Sequence, residues 1–159
     1  MSDNPDGALV RRFLAVPGTP LRFDASPLAA AMGAVILDAD AAVGRMVMAF
    51  NPGAGFTQGG GAIQGGAVAA MLDFAMAGAV IARLDPALIT STVSMSVSFL
   101  AAAPPATYRA ESVVERLGRS LAFTRATLAA ADGGRLVATA TSVLAIRPID
   151  AGGLASAPR

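Results

Sequence analysis

The sequence predicts an α+β domain in which one long helix packs on a single face of an antiparallel sheet. Three observations support this prediction. Residues 64–80 open with glycines and continue as an apolar helix, and residues 92–100 alternate small polar with apolar side chains. Strand-like segments then follow at short spacing, separated by turn residues. A strand pair, a long helix and a run of closely spaced strands are typical of an antiparallel sheet with a helix on one face.

The composition indicates one folded domain that associates with itself. The chain has 159 residues, of which 54% are hydrophobic and 14% charged. This length supports one substantial core, and this balance excludes a disordered chain. Because so few residues are charged, we also expect part of the surface to be buried against other copies, in a dimer or tetramer.

Charge and missing residue types exclude several functions. The net charge of +1 gives no electrostatic footprint for nucleic acid or an anionic membrane. Cysteine and histidine are absent, which removes disulfides, thiol nucleophiles, Ser-His-Asp triads and nearly all zinc sites. We expect no metal and no cofactor. Residues 62–82 are long enough for a membrane span, but the central Asp73 argues against one. With no secretory signal visible, the expected location is the cytoplasm.

Before the helix, residues 1–30 read as a loose start followed by a short helix over 28–32. Asp24-Ala25-Ser26-Pro27 supplies its capping residues and a proline in its first turn. The main domain is expected over 31–147, beginning with strands at 34–37 and 45–50. Asn51-Pro52-Gly53 ends the second strand, and the glycine-rich loop keeps the chain irregular until Gln64.

After the helix, which should end around Arg83 to Pro86, a meander of about four strands is expected. The alternation in Thr92–Leu100 predicts that its apolar residues share one face; these are Val93, Met95, Val97 and Phe99. Segments 107–117 and 121–131 form a pair about a Gly118-Arg119 turn, and 135–147 is the last strand. Residues 148–159 read as a frayed tail.

The central helix contains one carboxylate, Asp73, and no other charged side chain lies between Gly65 and Arg83. A buried carboxylate is costly unless it is paired or hydrogen-bonded. The residues one helical turn away are apolar, so its partner must lie outside the helix. The residues therefore leave two readings open: a reaction centre, or a structural carboxylate hydrogen-bonded in a subunit contact.

The motif Gln58-x-x-Gly61-x-x-Gln64-Gly65-Gly66, with Asp73 seven residues later, resembles the hotdog-fold acyl-CoA thioesterases. The similarity is to the branch related to phenylacetic acid degradation, and it runs from Ala34 to Ile146. Family members typically carry Asn-x-x-Gly-x-x-His-Gly-Gly, so Gln58 and Gln64 replace an Asn and a His. The family's basic residue after the strand that follows the helix is also missing, because Ala101-Ala102-Ala103 stands there.

The resemblance implies hydrolysis of an acyl-CoA thioester, with Asp73 activating water or attacking directly. The unpaired amides of a helix N-terminus suit a developing oxyanion, and Gly66, with Gly65 second, is the expected donor. Gln64 would orient the thioester, and Thr92 would hold the carboxylate or the water. The residues expected to contact substrate are Gln58, Gly61, Met71, Phe74 and Arg119. Met71 and Phe74 also suit the core, and Arg119 suits a solvated turn.

Distance predicts how the site is assembled. Gly66 and Asp73 are seven residues apart, which is about 10 Å along a helix at roughly 1.5 Å per residue. One thioester carbonyl must lie about 3 Å from both its donor and its attacking group. A single helix cannot serve both, whereas two antiparallel copies can. The expected protein is therefore a homodimer, or a dimer of dimers, with sites shared between subunits.

Two alternatives stay open. A hotdog hydratase or dehydratase is one, although such enzymes usually rely on a histidine that this chain lacks. The other is a non-catalytic acyl-CoA-binding or assembly module, which the replacement of His by Gln64 keeps in view. The acyl group is not specified by the sequence, and aryl and medium-chain groups fit it equally.

Overall fold

The structure is a computed structural model that describes residues 4–149. A long helix, α3, lies across a seven-stranded antiparallel sheet with the strand order β1-β2-β3-β5-β6-β7-β4. The elements in chain order are α1 (Pro5–Ala15), β1 (Leu21–Arg22), α2 (Pro27–Ala31), β2 (Val35–Asp40), β3 (Arg45–Phe50), a 3-10 turn (Ala54–Phe56), α3 (Gly65–Ile81), β4 (Leu88–Phe99), β5 (Tyr108–Leu117), β6 (Leu121–Ala130) and β7 (Leu136–Pro148). The predicted α+β class, with one helix on one face, is confirmed.

The helix α3 is held at the centre of the core. Met71, Leu72 and Met76 are fully buried between the helix and the sheet. The buried hydroxyl of Ser112 on β5 donates to the carbonyl of Ala75 at 2.7 Å. Because a buried hydroxyl is costly to leave unpaired, this bond fixes the middle of the helix over the middle of the sheet. Asp73 is thereby held in position two residues away.

The N-terminal segment is not the loose start that the sequence predicts. A helix, α1, spans Pro5–Ala15, and its Val10 and Phe13 are buried in the core. Its signals were present in the sequence: Asn4 accepts a hydrogen bond from the Asp6 amide, and Pro5 occupies the first turn. The short helix α2 begins with Pro27 as predicted.

The strand β4 is longer than predicted and lies at the edge of the sheet. It begins at Leu88 rather than at Thr92, and it pairs only with β7 among the described strands. The last four strands are therefore not a simple meander, since β5 pairs with β3 and β6 while β4 lies beyond β7. The β5–β6 hairpin about Gly118 is confirmed.

A β-bulge in β4 corrects the prediction that four apolar residues share a face. Thr92 pairs with Leu144 and Ser94 with Val143, so Val93 is an extra residue. Met95 and Val97 pack against the core and Phe99 stays on the same face beside Gly65 of the helix, whereas Val93 is 60% exposed. The bulge changes which residues face inward along the strand, and this becomes important at the site.

At the end of the chain, β7 continues to Pro148. Residues 150–159 of the predicted tail lie outside the described residues. Within residues 4–149, no helix has both the length and the apolar character needed to cross a membrane.

Candidate active site

The carboxylate of Asp73 finds its partner on β4, outside its own helix. Thr92 donates its hydroxyl to Oδ1 of Asp73 at 2.7 Å. Asp73 is half-buried and Thr92 is exposed, so the pair is accessible along the open edge of the sheet. The carboxylate keeps further lone pairs for a water or a substrate group. This arrangement suits a general base or nucleophile that a hydroxyl holds in place.

The N-terminus of α3 carries the second set of predicted site residues. Gln64 is the N-cap, and its side-chain oxygen accepts hydrogen bonds from the amides of Gly66 and Ala67. The Gly65 amide makes no hydrogen bond within residues 4–149. Gly65, rather than Gly66, therefore has the free donor in this conformation. The sequence motif could not reveal this difference, because it depends on the rotamer of Gln64.

A solvent-open groove of about 440 Å³ adjoins this end of the helix. Gln58, Gly65 and Phe99 lie on its walls, together with residues 100–103. No charged side chain is among the residues that line it. A Cβ added at Gly65 would lie 3.3 Å from the Phe99 ring, so a side chain at residue 65 would require that ring to shift slightly. Such a groove suits an uncharged, partly apolar ligand segment.

The sequence motifs did not predict the cation at the rim of this groove, Arg135. Arg135, from the turn before β7, donates to the carbonyl of Ala102 at 2.8 Å. Ala102 is one of the groove residues. The arginine is exposed, and its guanidinium has other N–H donors available for a ligand. It lies 33 positions along the chain from Ala102, so no local motif could have identified it.

The other predicted contact residues are scattered. Gln58 is exposed and braces its own loop by accepting from the Gly60 amide at 2.6 Å, while Gly61 has a positive φ of 84° in that loop. Phe74 packs edge-to-face on Phe23 with ring centroids 6.2 Å apart. Met71 is fully buried in the core of the protomer, so its expected contact with substrate stays a prediction.

Arg119 is exposed in the β5–β6 turn. The amide of Ile146 bonds to the carbonyl of Ser120 in the same turn, and Ile146 pairs with Thr90 on β4. The turn is therefore near the start of β4, whereas Gly65 contacts Phe99 at the other end of that strand. Within one protomer, Arg119 and the groove lie at opposite ends of β4.

Asp73 and the free amide of Gly65 are also separated within the protomer. They are eight positions apart on the helix, which is about 12 Å at roughly 1.5 Å per residue. The Asp73–Thr92 pair is beside the first half of β4, and Gly65 is beside its last residue. One protomer thus holds the two halves of a hydrolytic site at a distance that no single carbonyl spans.

Comparisons with known proteins agree with this architecture. The sequence model of the thioesterase superfamily matches residues 60–137, which include α3, β4 and the groove residues other than Gln58. A phenylacetic acid degradation-related protein from Ralstonia eutropha has a similar solved structure, with 29% identity and a TM-score of 0.75. That similarity covers 86% of this chain and 98% of the other. No curated protein matches the chain significantly.

Two further solved structures show the same fold. A thioesterase family protein from Silicibacter pomeroyi is 24% identical, with a TM-score of 0.74, 91% of this chain covered and 99% of that one. The PaaI protein from the phenylacetic acid degradation operon of E. coli is 17% identical, with a TM-score of 0.71 and coverage of 88% and 94%. The family model and the Ralstonia eutropha structure support thioester hydrolysis as the general reaction. The chain is similar to the thioesterase superfamily and has the hotdog fold, and the similar solved structures include proteins named for phenylacetic acid degradation.

Proposed function

We propose that this protein hydrolyses acyl-CoA thioesters to the free acid and CoA, in active sites that two copies of the chain share. The single observation that carries the proposal is the hydrogen bond from Thr92 to Asp73 at 2.7 Å. It gives the only charged side chain of α3 a polar partner at the open edge of the sheet. A carboxylate held this way can take a proton from water or attack the carbonyl carbon itself.

The oxyanion is stabilised by the first turn of α3. The developing negative charge needs a donor fixed before the reaction, and removal of one such donor typically costs about 10²–10³-fold in kcat. The amide of Gly65 is unpaired and opens onto the groove. We assign it the donor role, with Gly66 able to contribute once the Gln64 side chain turns to the substrate. Gln64 thus caps the empty site and orients the thioester in the occupied one.

The two halves meet across a two-fold axis through β4. This strand is twelve residues long and leaves one edge unpaired within the described chain, a template for pairing with a second copy. Antiparallel partners place opposed side chains on the same face. The core-facing Met95 and Val97 therefore match when Ser96 lies opposite Ser96 of the partner subunit. That register brings the bulged Thr92 and Val93 of one copy toward Phe99 of the other.

The same register assembles the chemistry. Thr92 and Asp73 of one copy then lie beside the end of the partner's β4, where Phe99 touches Gly65. Both groups come within reach of one carbonyl, and the symmetry produces two such sites in a dimer. A tetramer would pair two such dimers without changing the sites.

The substrate assignment to CoA thioesters rests on the groove and its rim. The uncharged groove suits the pantetheine arm and the acyl group, while a CoA phosphate needs a cation. Arg135, fixed on the Ala102 carbonyl, supplies that cation in place of the residue missing after β4. Both aryl and medium-chain acyl groups are compatible with the groove.

The proposal is tested by thiol release from short, medium, long and aryl acyl-CoA thioesters, with Asp73→Asn measured in parallel. Asparagine keeps the shape and can still accept from Thr92, but it cannot act as the base. We expect the parent to turn over at least one thioester and the variant to lose about three orders of magnitude in kcat. A folded parent that is silent across the panel, yet stabilised thermally by acyl-CoA, would contradict hydrolysis and favour a binding module.

A further inference from the structure

We infer that Ser142 is a positioning residue: its buried hydroxyl holds the bulge in β4 that turns Thr92 toward Asp73. This inference rests on the proposed function of the Asp73–Thr92 pair. It concerns a residue on β7 that contacts neither α3's carboxylate nor the groove, and that no motif in the sequence distinguishes.

The bulge allows Thr92 and Met95 to face the same side of the sheet, which a regular strand does not. Side chains alternate along a regular strand, so Thr92 would share its face with Ser94 and Ser96. The core needs Met95 and Val97 on the inner face, and the site needs Thr92 there too. An extra residue at Val93 satisfies both, because the register runs from Thr92 opposite Leu144 directly to Ser94 opposite Val143. Val93 is left 60% exposed as a consequence.

The hydroxyl of Ser142 is bonded at this irregularity. It donates to the carbonyl of Ser94, the residue directly after the bulge, at 2.9 Å. Ser142 is only 4% exposed, and it lies opposite Met95 in the register. A bulge disrupts the local ladder of backbone hydrogen bonds, and a side-chain donor compensates for part of that loss. A second buried hydroxyl, that of Thr124, bonds to the Ser142 carbonyl at 3.3 Å.

The consequence is a connected series of contacts from the sheet interior to the site. Ser142 fixes Ser94, the fixed bulge sets the direction of Thr92, and Thr92 holds Asp73. Loss of the Ser142 hydroxyl frees β4 to slip toward regular pairing. Since a regular strand cannot face both Thr92 and Met95 inward, the core residues keep their places and Thr92 turns away from the carboxylate.

The first test is the crystal structure of Ser142→Ala beside that of the parent. We expect the variant to lose the Thr92–Asp73 hydrogen bond, with the bulge displaced or absent. An intact bulge with Thr92 still bonded to Asp73 would overturn the inference. This measurement is independent of turnover, so it decides the inference even where the parent hydrolyses no thioester and the proposed function fails. If the alanine variant does not fold, Ser142→Cys, a similar volume with a weaker donor, replaces it.

The second test is a double-mutant cycle in kcat with Thr92→Val. We expect Ser142→Ala and Thr92→Val each to lower kcat about tenfold, and the double variant to be no slower than Thr92→Val, because both changes break one series of contacts. Multiplying effects, about a hundredfold in the double variant, would show that Ser142 acts independently of Thr92 and would overturn the inference.

Discussion

Gly65 and Asp73, the two ends of the proposed site on α3, differ in whether their polar groups have a hydrogen-bond partner within one protomer. At the carboxylate end, Asp73 already has Thr92 as a partner at 2.7 Å, and the protomer supplies everything that holds it. At the amide end, the Gly65 donor is unpaired and faces an open groove, while Gln64 caps its neighbour. The carboxylate has its hydrogen-bond partner in place, whereas the Gly65 amide has none within the described residues. In the proposed mechanism both groups act on one carbonyl, and the distance between them within one chain prevents this.

After Asp73→Asn, the largest expected effect comes from removing the amide donor of Gly65 while keeping the helix intact. Proline is favoured in the first turn of a helix and has no N–H, and the extended backbone of Gln64 suits a residue before proline. Gly65→Pro should therefore fold normally and lower kcat by about 10²–10³-fold.

Gly65→Ala is the matched control for this substitution. It adds the same Cβ, 3.3 Å from the Phe99 ring, but keeps the amide. We expect steady-state kinetics to show a much smaller loss for alanine than for proline. Equal losses in the two variants would assign the effect to crowding in the groove and remove Gly65 from the oxyanion site.

A smaller effect is expected at the rim of the groove. Arg135→Gln should raise KM about tenfold for an acyl-CoA, because a charge-assisted hydrogen bond contributes about 1.5–3 kcal/mol. KM should stay unchanged for the same acyl group on pantetheine, which lacks the phosphates. Arg125→Gln is the control, because Arg125 pairs with Glu115 on the outer sheet face at 3.1 Å. A KM that rises equally for both thioesters would exclude a phosphate contact.

Ser96→Cys should have the smallest effect on kcat, and it tests directly how the two copies of β4 pair. The chain contains no cysteine, so a single thiol can pair only with its counterpart. Directly opposed residues have Cβ atoms about 4.5–5.5 Å apart, close to the reach of a disulfide. Oxidation should produce a covalent dimer on non-reducing gels with kcat within about twofold of the parent, since Ser96 faces away from the site.

The register has its own controls in the neighbouring serines. Ser94→Cys and Ser98→Cys should each fail to cross-link alone, but the two variants mixed should do so, because each lies opposite the other in the partner. Efficient cross-linking of either variant by itself would shift the axis and contradict the proposed register.

The same comparison explains how much of this molecule its sequence predicts. The long helix, the antiparallel strands and the Gly118 turn follow from periodicity and turn chemistry, which are local. Asp73 stood out because a lone carboxylate in an apolar helix requires a partner. The helix over residues 5–15 carried the capping signals Asn4 and Pro5, yet its polar start made it resemble a loose end. Its assignment required the tertiary contacts of Val10 and Phe13.

What the sequence could not supply are relations between distant residues. The bulge at Val93 depends on how β4 meets β7, and the alternation in 92–100 predicts a regular strand in its place. Arg135 reaches the groove from a turn far along the chain, and the pairing of Gly66 with Gln64 depends on a rotamer. Each of these is set by packing or topology, so no spacing of residue types encodes it.

The central claim, that each site takes its carboxylate from one copy and its amide from the other, is tested most directly by subunit complementation. Asp73→Asn and Gly65→Pro are each inactive as homodimers in this account. Co-expression with two different tags isolates the heterodimer, in which one site has both groups intact and the other has neither. We predict thiol release at about half the rate of the parent dimer, since one of two independent sites is restored. A heterodimer as inactive as its two parents would place both groups in one protomer and contradict the shared site.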